Sequence, residues 1–452
     1  MPRFFALLLL LLAMSTDALA NPYSQRLPNG LLVIVKEDHR APTVVQQVWY
    51  RAGSMDEDIG TTGVAHVLEH LMFKGTRRFK AGEFSRRIAE VGGRENAFTT
   101  QDYTVYFQLV HRDRLPLIME LEADRMANLL VRPEEFAPEI KVVMEERRLR
   151  TEDRPRALVY ENFMAAAFSA HPYQWPVIGW MSDLQHMTWH DARAWYRRWY
   201  APNNATLVIA GDVHAPRVFK WAERYYGKIA RRALPERKVL EEPSQRGLRR
   251  VTVKAPADQA YVMLGCKVPV LRDVENDREP YALEVLAGLL DANESARLNQ
   301  HLVRERRTAN SASARYKWIE RGPGMLVLSG AVAQGKSAQE LEQALRGELA
   351  RVASEEISAE ELGRVKTQVV AREVYKRDSL FAQAMELGML ESVGLDYRNA
   401  DRMIEKLREV TVDQVKAVAA RYCVEDRLTV AVLDPQPLAA GAPAAAPSDL
   451  KH

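Results

Sequence analysis

The chain has 452 residues, 47% hydrophobic and 27% charged, which is the make-up of a soluble globular protein with room for two to four domains and a large core. Its 63 basic and 60 acidic residues leave a formal charge of +3. That near balance gives no electrostatic case for a nucleic-acid partner, which needs a concentrated basic face.

The first twenty residues read as a secretory signal peptide. Arg3 supplies the positive start, Phe4 to Met14 an apolar run of 11 residues, and Ala18-Leu19-Ala20 a small-x-small cleavage site. The run is shorter than the ~20 residues that span a bilayer, and no later segment looks transmembrane. Export follows, with the bacterial periplasm as the expected destination and no membrane span after cleavage. In the mature chain, residues 31–38 (LLVIVKED) and 43–54 (TVVQQVWYRAGS) alternate and carry β-branched side chains, so they predict strands.

Residues 60–76, GTTGVAHVLEHLMFKGT, place His66, Glu69 and His70 within five residues. On a helix, positions four apart share a face, so the two imidazoles project side by side as metal ligands. Glu69 is offset by one position, suited to act on water beside the ion rather than to ligate it. Catalytic zinc usually takes three protein ligands. The helix predicted over 134–150 (EEFAPEIKVVMEERRLR) offers Glu139, Glu145 and Glu146. Glu139 and Glu146 are two turns apart on one face, while Glu145 points elsewhere. Glu146 is therefore the candidate third ligand and Glu139 a carboxylate behind it, orienting a histidine. The order of His, Glu and His is the inverted zinc-peptidase signature. A second pair four apart, His186 and His190, is read as structural, because Thr188 between them is a helix N-cap.

Further helices are predicted over 81–91, 113–130, 278–307, 337–353 and 358–393, and further strands over 250–256 and 259–270. The polar stretch 232–249 reads as a linker, and the Ala/Pro-rich residues 435–452 as a disordered tail. The two cysteines, Cys266 and Cys423, read as small buried residues, although an exported chain permits a disulfide. The chain also repeats itself. The stretch from Thr188 recurs from Thr411: each opens with a capping-box pattern, continues as an amphipathic helix and ends in a strand. The same shift carries His66, Glu69 and His70 onto Leu289, Ala292 and Asn293, so the candidate metal site belongs to the first half alone.

These motifs, in order, resemble the insulinase/pitrilysin family of inverted zinc peptidases, in its short bacterial branch related to mitochondrial processing peptidase. RAGSMDEDIGTTGVAHVLEHLMFKGT resembles the family's metal helix and lead-in, VGGRENAFTTQDYTVYF its edge strand, and EIKVVMEERRLRTEDRP its third-ligand helix. The stretch from HPYQWPVIGW to NNATLVIAGDV resembles the end of its first half. The resemblance spans about residues 24–434 and implies an α+β fold of two homologous halves, each an antiparallel-rich sheet backed by helices. It implies that two such chains close as a clamshell. It implies one zinc ion per chain on His66, His70 and Glu146, Glu69 as general base, Glu139 as supporting acid, and Asn96, Ala97, Phe98 and Thr99 as the strand that holds a peptide or unfolded substrate by its backbone. Active single-chain members carry an arginine and a tyrosine seven residues apart in the C-terminal half. Here Arg304 matches the arginine, but Ser311 stands where the tyrosine should be and Thr308 where a glycine is usual. The implied enzyme is a zinc metalloendopeptidase that forms a heterodimer with a homologous zinc-less partner, which supplies the Arg/Tyr clamp; otherwise the assembly is a homodimer. The competing reading is a non-catalytic binding or assembly subunit that keeps the peptidase fold.

Overall fold

The computed structural model describes residues 21–437. The predicted signal peptide and the tail from residue 438 onward lie outside the described residues.

In the first half, strands β1 (Tyr23–Arg26), β2 (Leu32–Glu37), β3 (Thr43–Tyr50), β4 (Arg94–Thr99), β5 (Thr104–His111) and β6 (Ala205–Gly211) form one sheet in the order β1-β2-β6-β3-β5-β4. The second half builds β7 (Arg249–Pro256), β8 (Tyr261–Val268), β9 (Ala309–Tyr316), β10 (Gly324–Val332) and β11 (Leu428–Gln436) into the order β7-β11-β8-β10-β9. Without β1 the two orders coincide. In each sheet one pair is parallel, β2 with β6 and β7 with β11, and the other pairs are antiparallel.

The helices of the first half are α1 (Val64–Leu71), α2 (Glu83–Glu90), α3 (Leu115–Asn128), α4 (Pro133–Arg147), α5 (Pro155–Ala167), α6 (Met181–His186), α7 (Trp189–Trp199) and α8 (Ala215–Tyr226). Those of the second are α9 (Glu279–Asp291), α10 (Ala338–Ser354), α11 (Ala359–Lys376), α12 (Leu380–Val393), α13 (Ala400–Glu409) and α14 (Val412–Tyr422). The repeat read from the sequence is present in three dimensions: α7 and α14 each begin at a threonine in a reciprocal capping box, Thr188 with Asp191 and Thr411 with Gln414, and each leads into an inner strand of its sheet, β6 and β11.

Three predicted elements are corrected. The stretch 278–307 is not one helix: α9 stops at Asp291, and the chain re-enters a wide helical turn only at Asn299–Glu305, so Asn293 lies beyond the helix. The stretch 358–393 is broken between Lys376 and Leu380, where Ser379 caps α12 by accepting from the Ala382 N–H. Pro435 and Gln436, placed in the tail by composition, continue strand β11 against β7. The cysteines, which the sequence permits to pair, do pair, and Cys266 is buried as read. Cys266 on β8 and Cys423 at the end of α14 form a disulfide, which fastens that helix to its sheet.

The halves exchange helices, which no local pattern announces. From the first half, α5 lays Val159, Phe163, Met164 and Ala167 on Val253, Ala255, Met263, Ala431 and Leu433 of the second sheet. In return, α12 of the second half packs on β3 and β6, in a core that contains Trp49, Val208, Ala384 and Leu387. Gly388 makes this docking possible, since a Cβ there would stand 2.1 Å from Cε2 of Trp49. Residues 230–248 between the halves form neither helix nor strand, yet they are pinned down. Arg237 bonds to Asp56 at 2.9 Å and lies over the Trp199 ring, and Glu242 accepts the N–H groups of Ser169, Ala170 and His171.

Candidate metal centre

Helix α1 is short, and its start is set from outside. Gly63 takes φ +89°, where a Cβ would meet the Ile178 carbonyl oxygen at 2.6 Å. The buried Glu57 carboxylate accepts the N–H groups of Gly63 and Ala65 at 2.8 Å each, satisfying donors that the first turn leaves orphaned. Burial lifts the Glu57 pKa to about 8, while these two bonds pull the other way. Val64, Val67, Leu68 and Leu71 fill the core behind the helix, which leaves His66, Glu69 and His70 turned towards α4 and β4.

Helix α4 packs across α1 and delivers Glu146 between the two imidazoles. Its Oε2 lies 3.2 Å from His70 Nε2 and 3.8 Å from His66 Nε2. One ligand atom from each of the three residues lies within 4.8 Å of the others. Donors that share a tetrahedral ion with bonds of ~2.0–2.1 Å stand ~3.3 Å apart, so two imidazoles and one carboxylate at these separations fit a zinc ion. Glu139, two turns back on α4, accepts from His70 Nδ1 at 3.0 Å and from Lys74 Nζ at 2.5 Å. That bond fixes His70 with Nε2 towards Glu146. Arg150 holds the other Glu146 oxygen at 2.6 Å. His66 Nδ1 is buried and has no partner among the described residues.

Burial pushes the His66 pKa down to about 4, keeping its lone pair available. His70 is raised to about 9: burial opposes its charge, but the hydrogen bonds to Glu139 and Glu146 outweigh it. Glu146 falls to about 2, because His70, His66 and Arg150 more than offset its own desolvation. Cation binding here therefore displaces a proton from His70.

Glu69 is half-buried, and desolvation raises its pKa; its Oε2 accepts the Thr99 hydroxyl at 2.5 Å. This contact shows Thr99, read from sequence only as part of a substrate strand, holding the acid next to the ligands. Its strand β4 pairs with β5 alone and forms one end of the sheet, leaving the other backbone edge of Arg94–Thr99 unpaired among the described strands. Ala97 is buried, Phe98 is half-buried, and the Asn96 side chain turns back to accept the Ala97 N–H.

Arg304 is not drawn to this group. It sits in the wide turn of the second half, exposed and paired with Glu294 at 3.0 Å, and Ser311 lies on the end strand β9. His186 and His190 end up in separate helices, α6 and α7. Lys74, Arg150 and Glu57 were not singled out from the sequence. Lys74 lies four residues after His70 and Arg150 four after Glu146, a helical spacing that gave a usable signal. Glu57 carried none.

Two homologous α+β halves, with an H-x-x-E-H helix and a glutamate from a second helix converging in the first of them, define the class of inverted zinc peptidases. Residues 32–179 match the family model described as "Insulinase (Peptidase family M16)", and residues 186–369 match "Peptidase M16 inactive domain". The chain is 31% identical over 423 residues to the zinc protease PqqE of Helicobacter pylori, covering 91% of this chain and 92% of that one. It is 30% identical over 424 residues to a protein named as an uncharacterized zinc protease in Streptomyces coelicolor, covering 90% and 88%. Among solved structures, a protease from Helicobacter pylori superposes with a TM-score of 0.86 at 30% identity, over 92% of this chain and all of that one. A structure described as a peptidase M16 inactive domain from Pseudomonas fluorescens shares the fold, with a TM-score of 0.82 at 16% identity over 93% of this chain and 100% of that one. The chain belongs to the M16, or insulinase, family of peptidases.

Proposed function

We propose that this chain is a zinc-dependent endopeptidase that cleaves short or unfolded peptides outside the cytoplasm. The observation that carries this reading is the convergence of His66, His70 and Glu146 with Glu69, itself held by Thr99 at the end of an open strand edge. A zinc ion on the three ligands would polarise the scissile carbonyl and acidify water. Glu69 takes the proton of the attacking water and passes it to the leaving amine. The Thr99 hydroxyl fixes the rotamer of that carboxylate, and its enclosure keeps bulk water from levelling its basicity. The free edge of β4 offers N–H and C=O groups to an extended peptide, a recognition that is indifferent to side chains and demands an unfolded substrate. Glu139 keeps His70 in its ligating tautomer.

Arg304, tied to Glu294, has Ser311 seven residues on, so this chain lacks the phenol of a complete clamp. In the heterodimeric form of the proposal, a homologous zinc-less partner supplies the Arg/Tyr pair that Arg304 and Ser311 do not complete. The Cys266–Cys423 bond supports export, since such bonds persist in oxidising compartments. No helix among the described residues is long and apolar enough to cross a membrane.

The test is cleavage of a quenched fluorescent peptide by the zinc-loaded chain, alone and with whatever co-purifies from native extract. Glu69→Gln should keep zinc and lose about 10²–10⁴ in rate. Full activity of the chain alone would refute the partner requirement. Tight zinc binding without turnover in any pairing would favour the assembly-subunit reading instead.

A further inference from the structure

A second group of metal-ligand type lies at the far end of the first sheet. Glu37 closes β2, His39 follows in the β2–β3 turn, and His214 is the residue before α8. One ligand atom from each lies within 4.8 Å of the others. Register places this group away from the centre described above: Thr43 opposes His111 at one end of β3, whereas Tyr50 opposes Thr104, the partner of Thr99, at the other. Eight residues of strand separate those ends by roughly 20 Å.

Two of the three donors, His39 and Glu37, are held in place as ligands are. Asp212 bonds to His39 Nδ1 at 2.7 Å, and Arg112 in turn pairs with Asp212, which leaves His39 Nε2 as the free ring nitrogen. That nitrogen is 3.6 Å from Glu37 Oε2, too long for a hydrogen bond and close to the ~3.3 Å between two donors on one tetrahedral ion. The other Glu37 oxygen is taken by the Ala215 N–H at 2.7 Å, so the carboxylate cannot swing away. The His39 and His214 rings stand 5.4 Å apart, against 4.8 Å for His66 and His70. A carboxylate behind one imidazole, a second imidazole and a second carboxylate repeat the donor set of the first centre on an exposed surface.

We infer that Glu37, His39 and His214 form a second, non-catalytic site for a divalent transition ion of the zinc class, with Asp212 orienting His39. An ion there ties the β2–β3 turn to the start of α8. The same turn reaches the other half of the molecule, through Arg40 to the Asp378 carbonyl at 3.2 Å and through Asp38 to Gln383 at 3.0 Å. The site therefore stiffens the seam between the halves. This inference is independent of the proposed peptidase activity.

The experiment is an equilibrium zinc titration of the full mature chain at micromolar free Zn²⁺, with bound metal counted by native mass spectrometry and thermal unfolding followed in parallel. Wild type should hold two ions, His39→Ala with His214→Ala one, His66→Ala with His70→Ala one, and the fourfold variant none. In the His66/His70 background, zinc should still raise the melting temperature, and the added His39 and His214 changes should abolish that rise. Peptide cleavage should be unaffected by the His39 and His214 changes. The inference falls if wild type and the His39/His214 variant bind the same number of ions, or if the His66/His70 variant binds none below millimolar zinc. All four side-chain changes can be checked for folding by near-UV circular dichroism.

Discussion

Replacing Glu139 by glutamine tests how far the centre depends on a residue that touches no ligand position of the ion. Glu139 is 7% exposed and accepts from His70 Nδ1 at 3.0 Å and Lys74 Nζ at 2.5 Å. A glutamine retains the shape and one acceptor, so the His70 ring keeps its pose and loses only the charge behind it. A hydrogen bond to a charged group contributes ~1.5–3 kcal/mol and a neutral one ~0.5–1.5, so the loss is about 1–1.5 kcal/mol. Lys74 already draws on the same carboxylate, which argues for the lower end. Since ~1.4 kcal/mol is tenfold in an equilibrium constant, a loss of about 1 kcal/mol should lower zinc affinity about fivefold, with catalysis in the loaded protein little changed. Lys74→Met should act in the opposite direction, because it releases the full charge of Glu139 to His70. Competition against a fluorescent zinc chelator measures both. Glu139→Gln binding zinc within about twofold of wild type would refute the orienting role, as would a Lys74→Met variant that weakens affinity.

The Cys266–Cys423 bond closes a loop of sequence separation 157, so its loss in a double serine variant should cost about 2–5 kcal/mol, read as a lower denaturant midpoint. An unchanged midpoint would show that β8 and α14 hold without the bond. His171 offers a pH test. Burial lowers its pKa from 6.5 to about 4, and its Nδ1 accepts the Tyr173 N–H, so the folded ring is neutral. Between pH 6.5 and 4 the unfolded chain binds a proton that the folded one refuses, so stability should fall on acidification across that window. The slope from this one group is at most about 1.4 kcal/mol per pH unit. His171→Gln should flatten the profile there, and a profile identical to wild type would place the acid sensitivity elsewhere.

The chemistry of the centre was legible because its spacing is local. The helical period alone puts His66 beside His70 and Glu139 in line with Glu146, and the duplicated helix and strand, 223 residues apart by the numbers of Thr188 and Thr411, announce two halves. Neither requires knowledge of a partner element. What packs against what was not legible, because side-chain identity at one position does not specify a contact across a fold. Only the crossing of α1 and α4 brings Glu146 to the imidazoles, and only the sheet register sets Thr99 on Glu69. The docking of α12 depends on the void at Gly388 fitting Trp49, a match between distant residues that no periodicity encodes. The pairing of Cys266 with Cys423, and the meeting of His39 with His214, likewise follow from strand order. The sequence determined which groups are available for chemistry and on which helical face they stand. The tertiary structure decided which of them meet, since burial and distance are properties of the packed chain.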